Sequence, residues 1–321
     1  MNNKILLSIC IPTYNRVDTL KKTLPQILNF VEKSKYNINV VIGDNASNDG
    51  TENYIKSLNS KYIRYYKNNE NISADDNFYK ILKFSDGEYA FLLGDKHYIL
   101  EENFNKILSV LEQKKYHAIV STVSLRNVDI SSQIYKNPIS FIKDLGWHYT
   151  LLSSIFFSRN IIDNFDIRTY KAKNFIHHFI LTQYLFNNKV EILWENIEIA
   201  KSVLNVVPGW ERVSVEIFGR NWSKYILELP FNIDTKIRKE IIRSHSKNTH
   251  LFDLIYYYNL RKKYNLSTID IEKYKDYFDY FSQVKYEKVC QILKDRLNIF
   301  DKLKIYYYKI KLNIKAFLKI S

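Results

Sequence analysis

The sequence predicts an α/β fold, a parallel sheet with covering helices followed by a mainly helical C-terminal region. Three features predict it. β-prone apolar runs at Ile5–Ile11 and Asn37–Ile42 each lead through a turn-rich loop into a helical pattern, at Asp18–Glu32 and Glu52–Leu58. The 321 residues are 46% hydrophobic, enough to bury a proper core. From about Asn205 the strand signals fade and Lys- and Tyr-rich helical patterns take over, which divides the chain into an α/β domain, 1–205, and a helical, basic region, 206–321.

The elements follow in order. Ile5–Ile11 is nearly continuous in β-formers and turns at Pro12–Asn15 into the first helix. Gly43–Thr51 is the loop between the second strand and the second helix, and Tyr62–Tyr66 is a third short strand. Asp75–Phe84 reads as a helix stopped by Asp86-Gly87, and Glu88–Leu93 as a central strand ending at Gly94-Asp95. A helix near Glu101–Lys114, a strand at Ala118–Val123, a polar stretch at Arg126–Pro138, a strand at Leu151–Ser158 and a helix at Phe175–Phe186 complete the domain, and Pro208-Gly209 punctuates its end. Ligands of such sheets lie beyond the carboxyl ends of the strands, so the loops after the first, second and fourth strands are where a site is expected.

Composition narrows the partners. With 48 Lys and Arg against 34 Asp and Glu, the formal net charge is +14, which suits a nucleotide, a phospholipid surface or a nucleic acid. No helix-turn-helix, zinc or RNA-binding signature accompanies that charge, so no nucleic-acid partner is expected. Cys10 and Cys290 lie far apart in apolar sequence, which implies neither a disulfide framework nor a zinc motif and fits a reducing cytoplasm. Ile5–Ile11 lacks a small-residue cleavage site and runs straight into Pro12, so it reads as a buried strand rather than a leader. No segment reaches the ~18 consecutive apolar residues of a membrane span, and any membrane contact should be peripheral.

The chemistry-bearing residues cluster at the strand ends. Ser8–Arg16 (Ser-Ile-Cys-Ile-Pro-Thr-Tyr-Asn-Arg) aims a hydroxyl, a phenol and a carboxamide outward, groups that can edge a nucleobase and ribose. Gly43–Thr51 (Gly-Asp-Asn-Ala-Ser-Asn-Asp-Gly-Thr) presents acceptors for the imino proton of a pyrimidine, although turns are rich in such residues in any protein. Asn71–Phe78 and Gly87–Asp95 add a helix start and a strand end. Together these four segments resemble glycosyltransferase family 2, in particular bacterial surface-polysaccharide sugar transferases, over roughly the first third of the chain. Ser153–Arg159 is similar to the strand that precedes the acceptor region in that subgroup.

The resemblance implies a GT-A (Rossmann-like) mixed sheet flanked by helices, and a nucleotide-diphosphate sugar donor. It places Pro12, Thr13, Tyr14 and Arg16 at the base and ribose, Asp44 on the base, Asn77 at the donor-side helix start, and Asp95 beside ribose and diphosphate. The family's acidic motif usually holds a divalent cation, yet here its last acid falls on Lys96 or His97. A charged ammonium cannot ligate a metal, though it can hold a diphosphate directly. Three readings stand open: a metal-free site served by Lys96, a Mn2+ or Mg2+ site of Asp95 and His97, or a dead or repurposed site.

Family members invert the anomeric centre, with an acid near a helix start serving as base. That stretch is Lys173–Phe179 here, without Asp or Glu, which makes His177 the expected base and His178, Asp163 and Asp166 its alternatives, against the plainer reading of packed histidines and solvated turn aspartates. Pro208–Arg212 reads either as a domain linker or as a loop closing on the donor, with Arg212 on phosphate. The C-terminal stretch 301–321 spaces Leu303, Tyr306, Tyr307, Ile310, Ile314, Phe317 and Leu318 three and four apart between flanking lysines, a pattern for lying on an anionic membrane. The expected function is transfer of a sugar to a surface glycan or lipid-linked acceptor, at the inner face of the cell membrane. The alternative is a catalytically degenerate protein that binds nucleotide-sugar or glycan.

Overall fold

The computed structural model describes residues 4–123, 126, 128–189, 191–203 and 211–307. Two compact units make up the chain, Met1–Val207 and Pro208–Ser321.

The first unit opens with β1 (Leu7–Thr13), α1 (Val17–Lys33), β2 (Ile38–Asp44), α2 (Thr51–Ser57), β3 (Ile63–Lys67), α3 (Ala74–Phe84) and β4 (Tyr89–Leu92). It continues with β5 (His97–Ile99), α4 (Glu101–Glu112), β6 (Ala118–Thr122), β7 (Gln133–Tyr135), α5 (Pro138–Leu145), β8 (Ile155–Ser158), α6 (Arg159–Asp163), α7 (Ile176–Asn187), β9 (Ile192–Glu198) and β10 (Ala200–Ser202). Eight strands form one sheet in the order β3-β2-β1-β4-β8-β6-β9-β7, and β5 pairs with β10 in a small second ribbon. The half β3-β2-β1-β4 is parallel, while β8 runs antiparallel to both β4 and β6. The sheet is therefore mixed.

Every residue of β1 and β2 is buried, as continuous apolar runs require of central strands covered on both faces. α1 lays Leu20, Leu24, Ile27, Phe30 and Val31 on the sheet, a stripe of helical period. Beneath α4, Phe91 and Phe156 of neighbouring strands stack at 4.2 Å between ring centroids, and Phe104 closes on both edge-on or tilted at 5.6 Å.

The structure differs from expectation in particular places. Pro12 lies inside β1, paired with Gly43, so the strand runs on through Thr13 before the chain turns. The polar stretch Arg126–Pro138 contains the edge strand β7, whose Gln133 and Ile134 face solvent and so carry no apolar run. α5 begins with Pro138 at its first turn and Asn137 as its cap, a helix start that pattern alone passed over.

In the second unit short helices follow one another: α8 (Trp222–Leu227), α9 (Thr235–Thr249), α10 (Leu254–Tyr264), α11 (Thr268–Glu272), α12 (Lys275–Phe281) and α13 (Tyr286–Leu293). Trp222, Tyr257, Phe252, Phe278 and Phe281 fill its core. A last helix occupies 299–307, and the rest of the expected C-terminal stripe, Ile310 to Leu318, lies outside the described residues. Among the described residues no helix is long and apolar enough to cross a membrane.

Candidate active site

The strand order reverses at β1: β2 and β3 are added on one side of it, β4 on the other. Such a reversal opens a crevice beyond the carboxyl ends of β1 and β4. One hydrogen bond spans it, from Thr13 Oγ1 at the end of β1 to Asp95 Oδ2 just after β4, at 3.3 Å. Arg16, at the start of α1, brings Nη1 to 3.6 Å from Asp95 Oδ1. Thr23 in α1 fixes the turn from below by donating to the Asp95 carbonyl at 2.8 Å. Burial raises the Asp95 pKa, with Arg16 opposing. Burial also lowers that of Lys96, and Arg16 adds to the effect. One carboxylate thus faces two cations, which leaves a surplus positive charge at the crevice. Tyr14, 43% exposed, stands at its rim.

The loop after β2 is stitched to the loop after β1. The Asn15 amide donates to Ser47 Oγ at 2.8 Å, the Asn48 amide to Asn15 Oδ1 at 2.9 Å and the Val17 amide to Asp49 Oδ2 at 2.8 Å. Asn15 adopts φ 49, the left-handed region asparagine tolerates, and this turns its side chain across the gap. Asp44 anchors the arrangement from inside: its Oδ1 accepts the Ser47 amide at 2.8 Å and its Oδ2 the Tyr65 hydroxyl at 2.7 Å, with no surface exposed.

These positions correct two expectations about the donor. Asp44 orders the loop rather than presenting a carboxylate to the base, because water cannot reach it. Asn77 is likewise buried, donating to the Gly43 carbonyl at 3.3 Å and accepting from Asn68 at 3.0 Å, so both ends of its amide tie α3 to β2 and to the residue that follows β3. Pro12 contributes its position in the strand, not an exposed ring.

Ser153, noted in the sequence only as the start of a strand-like segment, packs against the turn that carries Asp95. Ser153 is buried with φ 79, a conformation that strains a residue bearing a Cβ. Its hydroxyl accepts the Gly94 amide at 2.9 Å and lies 3.3 Å from His97 Nδ1. A Cβ on Gly94 would meet that same Nδ1 at 2.8 Å, so only glycine lets the imidazole pack here. Burial, reinforced by Lys96, pushes His97 down to about 4, and the ring is neutral at physiological pH. With Nδ1 held, Nε2 is the nitrogen left for a ligand. Asp95 and His97 are two donors of the types that bind Mn2+, yet among the described residues no three such groups converge.

The residues expected to act as base are not brought to this crevice. His177 is enclosed, its Nε2 3.0 Å from the Thr150 carbonyl and its ring edge-on to Phe78. Burial pushes its pKa down to about 4. His178 stacks on Tyr149 at 4.0 Å, with Nδ1 3.1 Å from the Thr182 hydroxyl. A hydroxyl outside the protein cannot reach either ring, so both assignments are corrected to core packing. Their helix, α7, is apolar all round and buried, which leaves no polar face to flag. The first amide of α7 is instead met by Asp75, which accepts the Ile176 amide at 3.3 Å and, from the preceding loop, the Asn174 amide at 2.6 Å. Asp166 is partly exposed and chelated by Arg168 at 2.8 and 2.9 Å, an ion pair that lowers its pKa and makes it a poor base. Arg212 is exposed in the second unit, and Pro208–Trp210 lies outside the described residues.

Comparison with known proteins agrees with this architecture. The sequence profile of glycosyl transferase family 2 matches residues 8–183, more than half of the chain. An abequosyltransferase of Salmonella typhimurium is 34% identical over 113 residues, which is 34% of each chain. An uncharacterized glycosyltransferase of Mycoplasma genitalium is 31% identical over 110 residues, 33% of this chain and 37% of its own. These matches span about a third of the length of the curated relatives. Among solved structures, residues 1–349 of S. aureus TarS in complex with UDP-GlcNAc superpose with a TM-score of 0.60 at 14% identity, covering 86% of this chain and 81% of that one. The mannosyltransferase PcManGT of Pyrobaculum calidifontis, in complex with GDP-Man and Mn2+, gives 0.53 at 12% identity over 95% and 88%. At such identities the likeness shows the fold, which is of the GT-A type.

Proposed function

This chain belongs to glycosyl transferase family 2, and from that premise we propose that it is an inverting glycosyltransferase. It moves a sugar from a nucleoside diphosphate donor to a hydroxyl of a surface glycan or lipid-linked acceptor. The observation that carries this reading is the crevice between β1 and β4, where Thr13 and Asp95 close on each other beneath Arg16 and Lys96. Asp95 suits hydrogen bonds from a ribose, because Arg16 only partly satisfies it. Arg16 can fork two phosphate oxygens, and the half-buried Lys96 adds a point charge that water screens poorly. Both cations gain most when the diphosphate leaves, since its charge is greatest then. The relatives with UDP-GlcNAc and GDP-Man bound support a donor of this class.

A divalent cation fits the pair Asp95 and His97, provided that the donor's phosphate oxygens complete its shell. When bound, it would add further charge stabilisation to the leaving diphosphate. Because Arg16 and Lys96 already bring two positive charges, the metal assists rather than enables. Ser153 holds His97 in the orientation that keeps Nε2 available.

A panel of uridine, guanosine, cytidine and thymidine diphosphates, each with and without manganese, tests the reading by thermal shift. One base should stabilise the protein in both conditions. No stabilisation by any of them would overturn it. The enclosure of His177 and His178 favours a second reading, a nucleotide-sugar or glycan binder without turnover. Stabilisation without release of diphosphate from any sugar donor is its signature.

A further inference from the structure

Half of the exposed large apolar side chains described in the molecule fall within nine consecutive residues. Ile299, Phe300, Leu303, Tyr306 and Tyr307 are each between 56% and 71% exposed. They sit on the helix over 299–307, which Asn298 caps by accepting the Asp301 amide at 2.9 Å. The opposite side of this helix is docked: Ile305 and Asp301 are buried, and Asp301 is paired with Lys288. At about 100° per residue the five apolar side chains span an arc of about 120°, and Lys302 and Lys304 border it on either side. A patch of this size on a helix already packed by its other face indicates a partner.

Charge selects the partner. Residues 208–321 hold 23 Lys and Arg against 13 Asp and Glu, whereas the first 207 residues hold 25 against 21. Most of the surplus of the chain is thus concentrated in the unit that bears the stripe. Pairing with a second copy would bring two strongly basic units together, which like-charge repulsion opposes. We propose that this face of the second unit docks on an anionic lipid bilayer. The apolar arc enters the headgroup boundary, with Lys302 and Lys304 extending their stems along it to reach lipid phosphates. The docking stands apart from the transfer reaction and holds whatever the crevice does.

Sedimentation of the full-length chain with vesicles tests it, comparing phosphatidylcholine alone with phosphatidylcholine containing 30% phosphatidylglycerol, a composition of about that fraction being enough to charge the surface. The chain should pellet with the anionic vesicles at low salt and be released at high salt. The variant Phe300→Ser/Leu303→Ser/Tyr306→Ser should lower the partition coefficient at least about tenfold, and Lys302→Glu/Lys304→Glu about 25-fold or more, at about fivefold per lysine. Both variants change exposed side chains, so their melting temperatures should match the parent. Should either fail to fold, the parent's salt and lipid dependence still decides. Failure of the parent to pellet, equal binding to both vesicle types, or unaltered binding by both folded variants would each overturn the proposal. So would a dimer in analytical ultracentrifugation that the serine variant dissolves.

Discussion

Replacing Asp44 with alanine separates a scaffolding residue from one that touches the donor. The substitution removes the acceptor of the Tyr65 hydroxyl, at 2.7 Å, and of the Ser47 amide, at 2.8 Å. An unsatisfied buried donor costs about 1–3 kcal/mol, and the half-buried Tyr65 recovers part by meeting water, so the two together cost about 2–4 kcal/mol. In a unit of this size each kcal/mol lowers the melting temperature by about 2–4 °C, which predicts a fall of about 5–15 °C. The loop freed by the change carries Ser47 and Asp49, which hold Asn15 and the start of α1, so nucleotide-induced stabilisation should vanish as well. Asp44→Asn keeps an oxygen for the Ser47 amide and lets Tyr65 turn to accept, and it should restore most of the loss. Differential scanning fluorimetry with and without nucleotide reads both effects. An Asp44→Ala protein that melts within about 1 °C of the parent while losing nucleotide binding would refute this reasoning and return Asp44 to direct contact with the base.

Three further outcomes follow from the same geometry. Gly94→Ala pushes a methyl to 2.8 Å from His97 Nδ1 and should cost about 1–3 kcal/mol at the turn, seen as lost manganese affinity in calorimetry; unchanged affinity would remove His97 from the site. Transfer should persist in EDTA with a loss of about tenfold or less, since Arg16 and Lys96 bring their own charge, and complete metal-reversible loss would contradict it. Acid should destabilise the first unit: His177 and His148 are held neutral by burial down to about 4 and about 3, whereas an unfolded imidazole takes its proton near ~6.5. Stability is therefore full above that pH and declines below it, by about 2 kcal/mol per histidine at pH 5, and His177→Gln should flatten the melting profile accordingly.

What was legible in the sequence follows physical signal strength. β1, β2 and β4 announce themselves because central strands are apolar and their loops hold the turn residues, and β3, an edge strand, shows through its β-prone tyrosines. β7 and β10 do not, since they are short strands of three residues, and β9, although interior, breaks its apolar run with Glu195 and Asn196. Thr13, Arg16 and Asp95 were assigned by the family resemblance, and the structure brings the three within hydrogen-bond or ion-pair reach of one another. Ser153 was missed because only its φ and its two contacts reveal it. His177 misled because its chemistry suits a base, and burial is invisible in a helix with no polar face.

Release of nucleoside diphosphate measures most directly whether the crevice between β1 and β4 binds and cleaves a nucleotide-sugar. The parent chain, offered a set of uridine, guanosine, cytidine and thymidine diphosphate sugars, should release diphosphate from one of them, and Asp95→Ala and Arg16→Ala/Lys96→Ala should each lower that rate about 100-fold or more. A parent that releases none while its folded state is intact, or an Asp95→Ala chain as active as the parent, would contradict a transferase site in this crevice.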